Sequence, residues 1–522
     1  MISLKRIFIS LILFTLLSCS LKKISKNESN PWQELTKRDL AFIYKTILND
    51  HPGPVDELNP DFKIWLEEGY KEALKRTEEV TSFAGYVYLL RYYVNGFQDG
   101  HVYINFKLER ENLNWSGFLV AYQNGKFLVE YVDSSGSFAK LPEINDELVS
   151  CNDMKPMDLM NKNIFPFQGI HELEAELFRF APLLFVFDGN PWAESLDTCV
   201  FRSAKNKEYF LSLEKRPIGN TQISALIDQI RGVPDRTFTS TKFGNNSVWI
   251  KLPSFDPKGN SELLQMRSLM QTIEQEKEMY RKSDMVVFDV RGNSGGSSVW
   301  GQKILMNLYG EKYVRYKSTQ NFISNYNVHA LWRVSPSNYN YHLTETLPEL
   351  ERNFGPDSEA YKEYTDLAEQ MKQALTKNIQ LIREGQDENT LKRKANEAKQ
   401  SIIVGDNLNQ AQVFLLTDSR CGSACLDFCD MLFRVDEKLI HVGHPTNADT
   451  VYLTIKYDTL PSDIAYITVP RKLWRNRPRG HNVAYIPKYR WEGAIGDTEA
   501  LQKWIIEIAT RKKDTVVTKD NK

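Results

Sequence analysis

The stretch Asp284 to Ser298, DMVVFDVRGNSGGSS, constrains this chain more than any other, because a short apolar run leads straight into a glycine-rich loop. Met285-Val286-Val287-Phe288 predicts a strand of the fully buried kind, and Arg291-Gly292-Asn293-Ser294-Gly295-Gly296 then breaks it with residues that tolerate positive φ. Successive amides in such a turn can converge on one point and form a concavity for developing negative charge. A plain strand-to-helix turn uses glycines in the same way. The loop acquires chemical meaning only beside a nucleophile.

A second apolar strand is predicted at Val413-Phe414-Leu415-Leu416-Thr417, followed by Asp418-Ser419-Arg420-Cys421-Gly422-Ser423-Ala424. Beyond it, Cys425, Phe428, Cys429 and Leu432 fall at helical spacing. Ser423 therefore stands at a strand-to-helix elbow, near the positive end of the helix dipole and beside free first-turn amides. Taken alone, that position also suits a serine that merely caps the helix.

Together these segments resemble the C-terminal processing (tail-specific) serine peptidases and their tricorn-core relatives. Phe288-Asp289-Val290-Arg291-Gly292-Asn293-Ser294-Gly295-Gly296 is similar to that family's strand followed by D-x-R-x-N-x-G-G, and Gly422-Ser423-Ala424 to its S-A nucleophile segment. Far upstream, Gly96-Phe97-Gln98-Asp99-Gly100-His101-Val102 resembles the D-G-H segment of the branch that uses histidine. His51-Pro52 and Gly496-Asp497-Thr498-Glu499-Ala500-Leu501 agree with the same pattern, so the resemblance spans most of the chain after residue 35. It implies Ser423 as nucleophile, His101 as general base, and an oxyanion hole from the amides of Ala424 and one of Gly295 or Gly296. Serine needs such a base to take its proton, and an unperturbed histidine titrates near working pH.

The sequence departs from the better-known branch of the family, which places a lysine in a P-T-x-G-K segment. Here Pro445-Thr446 is followed by Asn447-Ala448-Asp449, and Lys456 is the nearest substitute. His444 is the competing base. The glutamate often found three residues after the serine is replaced by Leu426, with Asp427 one place later. The acid that orients the histidine is left open, with Glu492 and Asp497 as candidates by position and a structural role as the alternative for each.

At 522 residues, 42% hydrophobic and 25% charged, the chain has room for two to four globular domains. A formal charge of −1 provides no global field for nucleic acid, and no nucleic-acid partner is expected. Lys5 and Arg6 precede an apolar run from Ile7 to Leu17 that ends in Ser18-Cys19, which reads as a signal peptide and resembles a bacterial lipobox. Residues 1–19 are accordingly expected to be a lipoprotein signal, Cys19 the lipidated residue and 20–34 a tether. The body then lies in the cell envelope, lipid-anchored to a bacterial membrane and facing the periplasm or exterior. Five cysteines remain, at 151, 199, 421, 425 and 429, so at least one stays unpaired in a monomer. Cys421, Cys425 and Cys429 lack further ligands at diagnostic spacing and read as small buried hydrophobes; no metal or cofactor is expected.

Leu40, Ile43, Ile47 and Leu48 mark a helix that ends before Pro52, and Tyr86 to Tyr93 another, within an N-terminal helical domain at 35–107. Asn124-Gly125 between apolar runs predicts a hairpin, and Leu141 to Asn152 resembles a PDZ segment, giving a PDZ-like domain at 108–216. The catalytic domain is expected at 217–510, with strand Val248 to Leu252 and a helix marked by Leu263, Met266, Met270 and Ile273. It carries a helical insertion at about 312–408, where a stripe runs from Tyr361 through Ile379 and Ile382 to a stop at Gly385 and Leu391 to Ala398 forms a charged helix. A polar tail occupies 511–522. The expected fold class is α/β multidomain, and the resemblance narrows the catalytic core to a crotonase-like ββα spiral. The function implied is that of an exported serine-type endopeptidase acting on peptides or unstructured protein tails. A catalytically inactive, peptide-binding lipoprotein of the same fold is the alternative.

Overall fold

The computed structural model describes residues 30–108, 113–232 and 235–517; the leader, Cys19 and most of the expected tether lie outside them. Helix α1, Pro31–Asp50, begins within the range expected for that tether. The Asn30 side chain accepts the Trp32 amide at 3.0 Å, and Pro31 pre-sets the first turn. It ends as the sequence predicts, where Pro52 imposes extended backbone on His51 (φ −83°, ψ 140°). Helices α2, Pro60–Arg76, and α3, Phe83–Asn95, pack on it through buried Leu40, Ile43, Phe62, Leu66, Leu89 and Tyr93.

This helical region does not close on itself. Strand β1, Tyr103–Phe106, pairs antiparallel with Ala465–Arg475, setting Tyr103 opposite Thr468, and Ile467, Val469 and Leu473 complete the helices' core. Residues near the two ends of the chain thus share one hydrophobic cluster across the boundary expected at 107.

Five antiparallel strands follow in spatial order: Phe118–Gln123, Lys126–Val132, Glu147–Cys151, Thr198–Arg202 and Glu208–Ser212. The expected hairpin is present, with Asn124 and Gly125 at φ 49° and 80° as a two-residue turn requires. A disulfide between Cys151 and Cys199 joins the third strand to the fourth.

The central sheet runs Thr239–Phe243, Ser247–Lys251, Met285–Asp289, Gln412–Thr417, Ile440–Gly443, Tyr489–Arg490. Its first pair is antiparallel and the rest parallel. Helices Gly259–Arg281, Ser298–Tyr309 and Ala424–Val435 cover one face through Val286, Phe288, Val413 and Leu415; Thr498–Val517 covers the other through Val287, Phe414 and Leu416. Both faces being covered explains why these strands read as continuous apolar runs. The terminal helix extends through Val517, into the region expected to be a polar tail.

Between strands Met285–Asp289 and Gln412–Thr417 the chain carries a mixed insertion. Helix Glu359–Thr376 stops short of the expected Gly385: Asn378 turns left-handed at φ 54°, and Leu381–Arg383 becomes a strand paired with His329–Arg333. Ile379 and Ile382 continue the helical period in sequence but belong to the turn and the strand. The charged helix is found at Glu388–Ser401, capped by Asp387. The whole is a mixed α/β multidomain architecture.

Candidate functional site

Ser423 ends the turn between strand Gln412–Thr417 and helix Ala424–Val435 at φ 53°, ψ −124°. An L-residue held there costs on the order of 1–3 kcal/mol. The strain does not serve capping, because the Ser423 side chain makes no capping hydrogen bond. Its hydroxyl has no hydrogen-bond partner among the described residues. The geometry is that of an elbow presenting an alcohol.

The glycine loop is laced to this elbow. Val290 N–H donates to Leu416 O at 3.0 Å, Gly292 N–H to Asp418 Oδ2 at 2.9 Å, and Gly422 N–H to Asn293 O at 3.3 Å. The Gly295 amide donates to Asn293 Oδ1 at 2.9 Å and is therefore engaged, while its carbonyl accepts from Phe255 N–H, also at 2.9 Å. Among the described residues the amides of Gly296 and Ala424 have no hydrogen-bond partner. Of Gly295 and Gly296, Gly296 is therefore the one whose amide is free to donate elsewhere.

The Asp-x-Arg of the same motif has a structural job. Arg291 and Asp289, both buried, pair through Nε–Oδ1 at 2.8 Å and Nη2–Oδ2 at 2.6 Å, and Trp249 Nε1 donates to the same carboxylate. Arg291 also donates to Ile495 O at 2.5 Å and Thr498 Oγ1 at 2.9 Å, docking the Gly496-Asp497-Thr498 segment. Asp497 there accepts the Ala500 amide as the cap of the terminal helix, and Glu492 is exposed. Neither forms an ion pair or hydrogen bond with His101.

His101 lies in the turn between α3 and β1. Thr468 Oγ1 donates to its carbonyl at 2.9 Å, and Asp99 Oδ1 accepts its amide at 2.9 Å. The same Oδ1 stands 3.8 Å from the ring's Nδ1, which is buried and without a hydrogen-bond partner. Asp99, not Glu492 or Asp497, is thus the carboxylate beside the imidazole. Burial alone would raise its pKa, but His51, His101 and the His101 amide outweigh burial and hold it below the usual range. The His101 side chain is 13% exposed, so its other edge reaches solvent. The turn bearing His101 and the elbow bearing Ser423 flank one loop: a Cβ on Gly100 would lie 4.0 Å from Ala448 O, and one on Gly422 3.9 Å from Asn447 Cβ. No hydrogen bond joins the His101 ring to the Ser423 hydroxyl in this structure.

The competing groups are occupied elsewhere. His444 stacks on Phe178 at 4.4 Å, and burial pushes its pKa down to about 4. Lys456 is buried between Asp50 at 2.9 Å and Asp458 at 2.6 Å and donates to Ser337. Asp427 pairs with Arg479 at 3.2 Å.

Two of the three cysteines around the elbow are not the small hydrophobes expected. Cys421 and Cys425 form a disulfide that brackets Ser423. Cys429 is the free, buried thiol, its Sγ 3.8 Å from that of Cys421. Cys421 stands in the turn before the helix, so the i, i+4 spacing brings the two sulfurs near each other but does not by itself give the bond. Asp99 was visible, inside the D-G-H motif itself.

No protein-family model matches the chain, and no curated protein does. Solved structures do. Mature CPAF aligns over 92% of this chain and 98% of its own, with a TM-score of 0.55 at 13% identity. Mature CPAF complexed with lactacystin gives 92%, 99%, 0.54 and 13% in the same order. The photosystem II D1 C-terminal processing protease covers 88% of this chain and 93% of its own at 10% identity, but its TM-score of 0.30 is below that of a shared fold. At such identities the likeness to CPAF is one of fold.

Proposed function

We propose that this chain is an exported serine-type endopeptidase that hydrolyses peptide bonds in peptides or unstructured protein tails. The observation that carries the reading is the elbow: a serine in a strained backbone state with an unengaged hydroxyl, beside two unengaged amides. His101 takes the Ser423 proton as Oγ attacks the scissile carbonyl, and the Gly296 and Ala424 amides receive the oxyanion. The imidazolium then returns the proton to the leaving amine, and water, deprotonated by the same ring, releases the acyl group. Asp99 holds the Nδ1 side of the imidazole and stabilises its charged form.

The antiparallel five-stranded domain acts as a PDZ-like module that adds a peptide strand to its edge, and the parallel sheet with its covering helices is the crotonase-like core. Two disulfides agree with a compartment outside the cytoplasm and with a lipid anchor at Cys19 on a bacterial membrane.

The absence of a hydrogen bond between His101 and Ser423 favours a second reading, an inactive peptide-binding lipoprotein of the same fold. Fluorophosphonate labelling and cleavage of unfolded protein separate the two. The peptidase reading expects labelling at Ser423 and cleavage that Ser423→Ala and His101→Ala both abolish. A wild type that neither labels nor cleaves, yet binds peptide, establishes the alternative.

A further inference from the structure

Three buried polar atoms in this molecule lack a hydrogen-bond partner yet stand in sequence along one path: His51 Nε2, Asp99 Oδ2 and His101 Nδ1. His51 Nε2 is 3.7 Å from Asp99 Oδ2, and Asp99 Oδ1 is 3.8 Å from His101 Nδ1. The His51 and Asp99 side chains are 0% and 1% exposed, so bulk solvent does not reach them. Burying a carboxylate oxygen and an imidazole nitrogen that each lack a hydrogen-bond partner is costly. Two apolar side chains would fill the same volume without that cost.

The tautomer of His51 follows from its other nitrogen. Nδ1 accepts the Gly53 amide at 2.8 Å, so the proton of the neutral ring is on Nε2 and faces Asp99. The ring cannot turn away. Phe62 stacks on it at 4.4 Å with an interplanar angle of 12°, Tyr452 meets it edge-on at 4.8 Å, and its own amide ends α1 on Ile47 O.

We infer that His51 is a positioning residue of this site: a neutral imidazole that donates its Nε2 proton to Asp99 and so fixes the carboxylate that faces His101. The inference rests on the peptidase reading and deepens it. A contraction of less than about 1 Å at each end closes both contacts, and free-enzyme catalytic hydrogen bonds are often long. Burial keeps His51 neutral, its pKa lowered despite Asp99, as a permanent donor must be. The other charged groups facing it are Asp56, itself held by Arg475 and by Tyr452 Oη at 2.8 Å, and Arg333. Asp56 favours a charged His51 and Arg333 opposes it.

The test compares wild type with His51→Leu, which keeps bulk but no donor, and His51→Gln, which keeps an amide donor, on full-length chain with matched melting temperatures. The expected result is a kcat roughly 10- to 100-fold lower for His51→Leu at unchanged KM, the range of outer-shell partners, with partial recovery in His51→Gln. The acid limb of the kcat/KM profile also moves to higher pH in His51→Leu, because an Asp99 without its donor binds the imidazolium more strongly. Should His51→Leu fold poorly, ring ¹⁵N and ¹H shifts decide: a protected Nε2 proton on His51 that moves upfield in Asp99→Asn supports the inference. A His51 protonated on Nδ1, or a folded His51→Leu with unchanged kcat and pH profile, overturns it. These shifts are read without turnover, so a wild type that never labels Ser423 removes the peptidase reading while leaving this contact to be judged separately.

Discussion

Gly295 lies so close to Ser423 that a Cβ on the glycine would stand 2.7 Å from the serine Cβ. At φ 106° it is also in a backbone state that side chains avoid, and Gly296 at φ 130° would drive a Cβ to 2.1 Å from the Phe255 carbonyl. Gly296→Ala is expected to slow Ser423 labelling by about 10²–10³, the usual cost of a disturbed hole donor, and Gly295→Ala to slow it by pushing on the Ser423 side chain. Gly219→Ala, with nothing within 4 Å, is the control and leaves the rate unchanged. Equal rates in all three variants would falsify the placement of the hole.

Asp99→Asn keeps the shape of the group beside His101 and removes its charge. We expect kcat to fall by roughly 10²–10⁴, the size of a general acid–base contribution, with KM little changed. Steady-state kinetics on an unfolded substrate measures this. A Glu492→Gln or Asp497→Asn variant with the larger loss would return the orienting role to the C-terminal segment.

Acid should destabilise the fold through three histidines, His342 and His441, which are buried, and His444, which is half-buried. Burial pushes the pKa of His342, His441 and His444 down to about 4, against about 6.5 in an unfolded chain. Between those values the unfolded state binds protons that the native state refuses, so stability is lost as pH falls from about 6.5 towards about 4. Melting temperature against pH should show this slope, and His441→Asn should flatten part of it if that variant folds. A melting temperature constant from pH 7 to pH 4 contradicts the assignment.

The Cys151–Cys199 bridge closes a loop with a sequence separation of 48. Replacing both cysteines by serine is expected to cost about 2–4 kcal/mol in chemical denaturation. Peptide mapping without reductant should recover Cys151 linked to Cys199, Cys421 linked to Cys425, and Cys429 alone. Recovery of Cys429 in a disulfide would redraw the sulfur pairing around the elbow.

The elements that position Ser423 were legible because strands buried on both faces announce themselves: Val286, Phe288, Val413 and Leu415 have no polar alternation to confuse a reader. The carboxylate beside His101 stood in the D-G-H motif itself, two residues from the imidazole. Glu492 and Asp497 were sought by distance along the chain, whereas the carboxylate came from the turn itself. Asp497 and Thr498 form a recognisable motif for other reasons, Asp497 as the cap of the terminal helix and Thr498 as a dock for Arg291. The Ile379–Ile382 stripe shows the limit of periodicity, since three residues of strand satisfy a helical count when a left-handed Asn378 intervenes. Cys421 and Cys425 show another: burial was foreseen, but bonding depends on how the turn before the helix orients one sulfur.

Because β1 finds its partner only in Ala465–Arg475, and His101 hangs its carbonyl on Thr468, the imidazole has no fixed address until nearly the entire polypeptide has been made. A chain made only as far as Leu460 would hold Ser423 and the glycine loop and lack this support for His101.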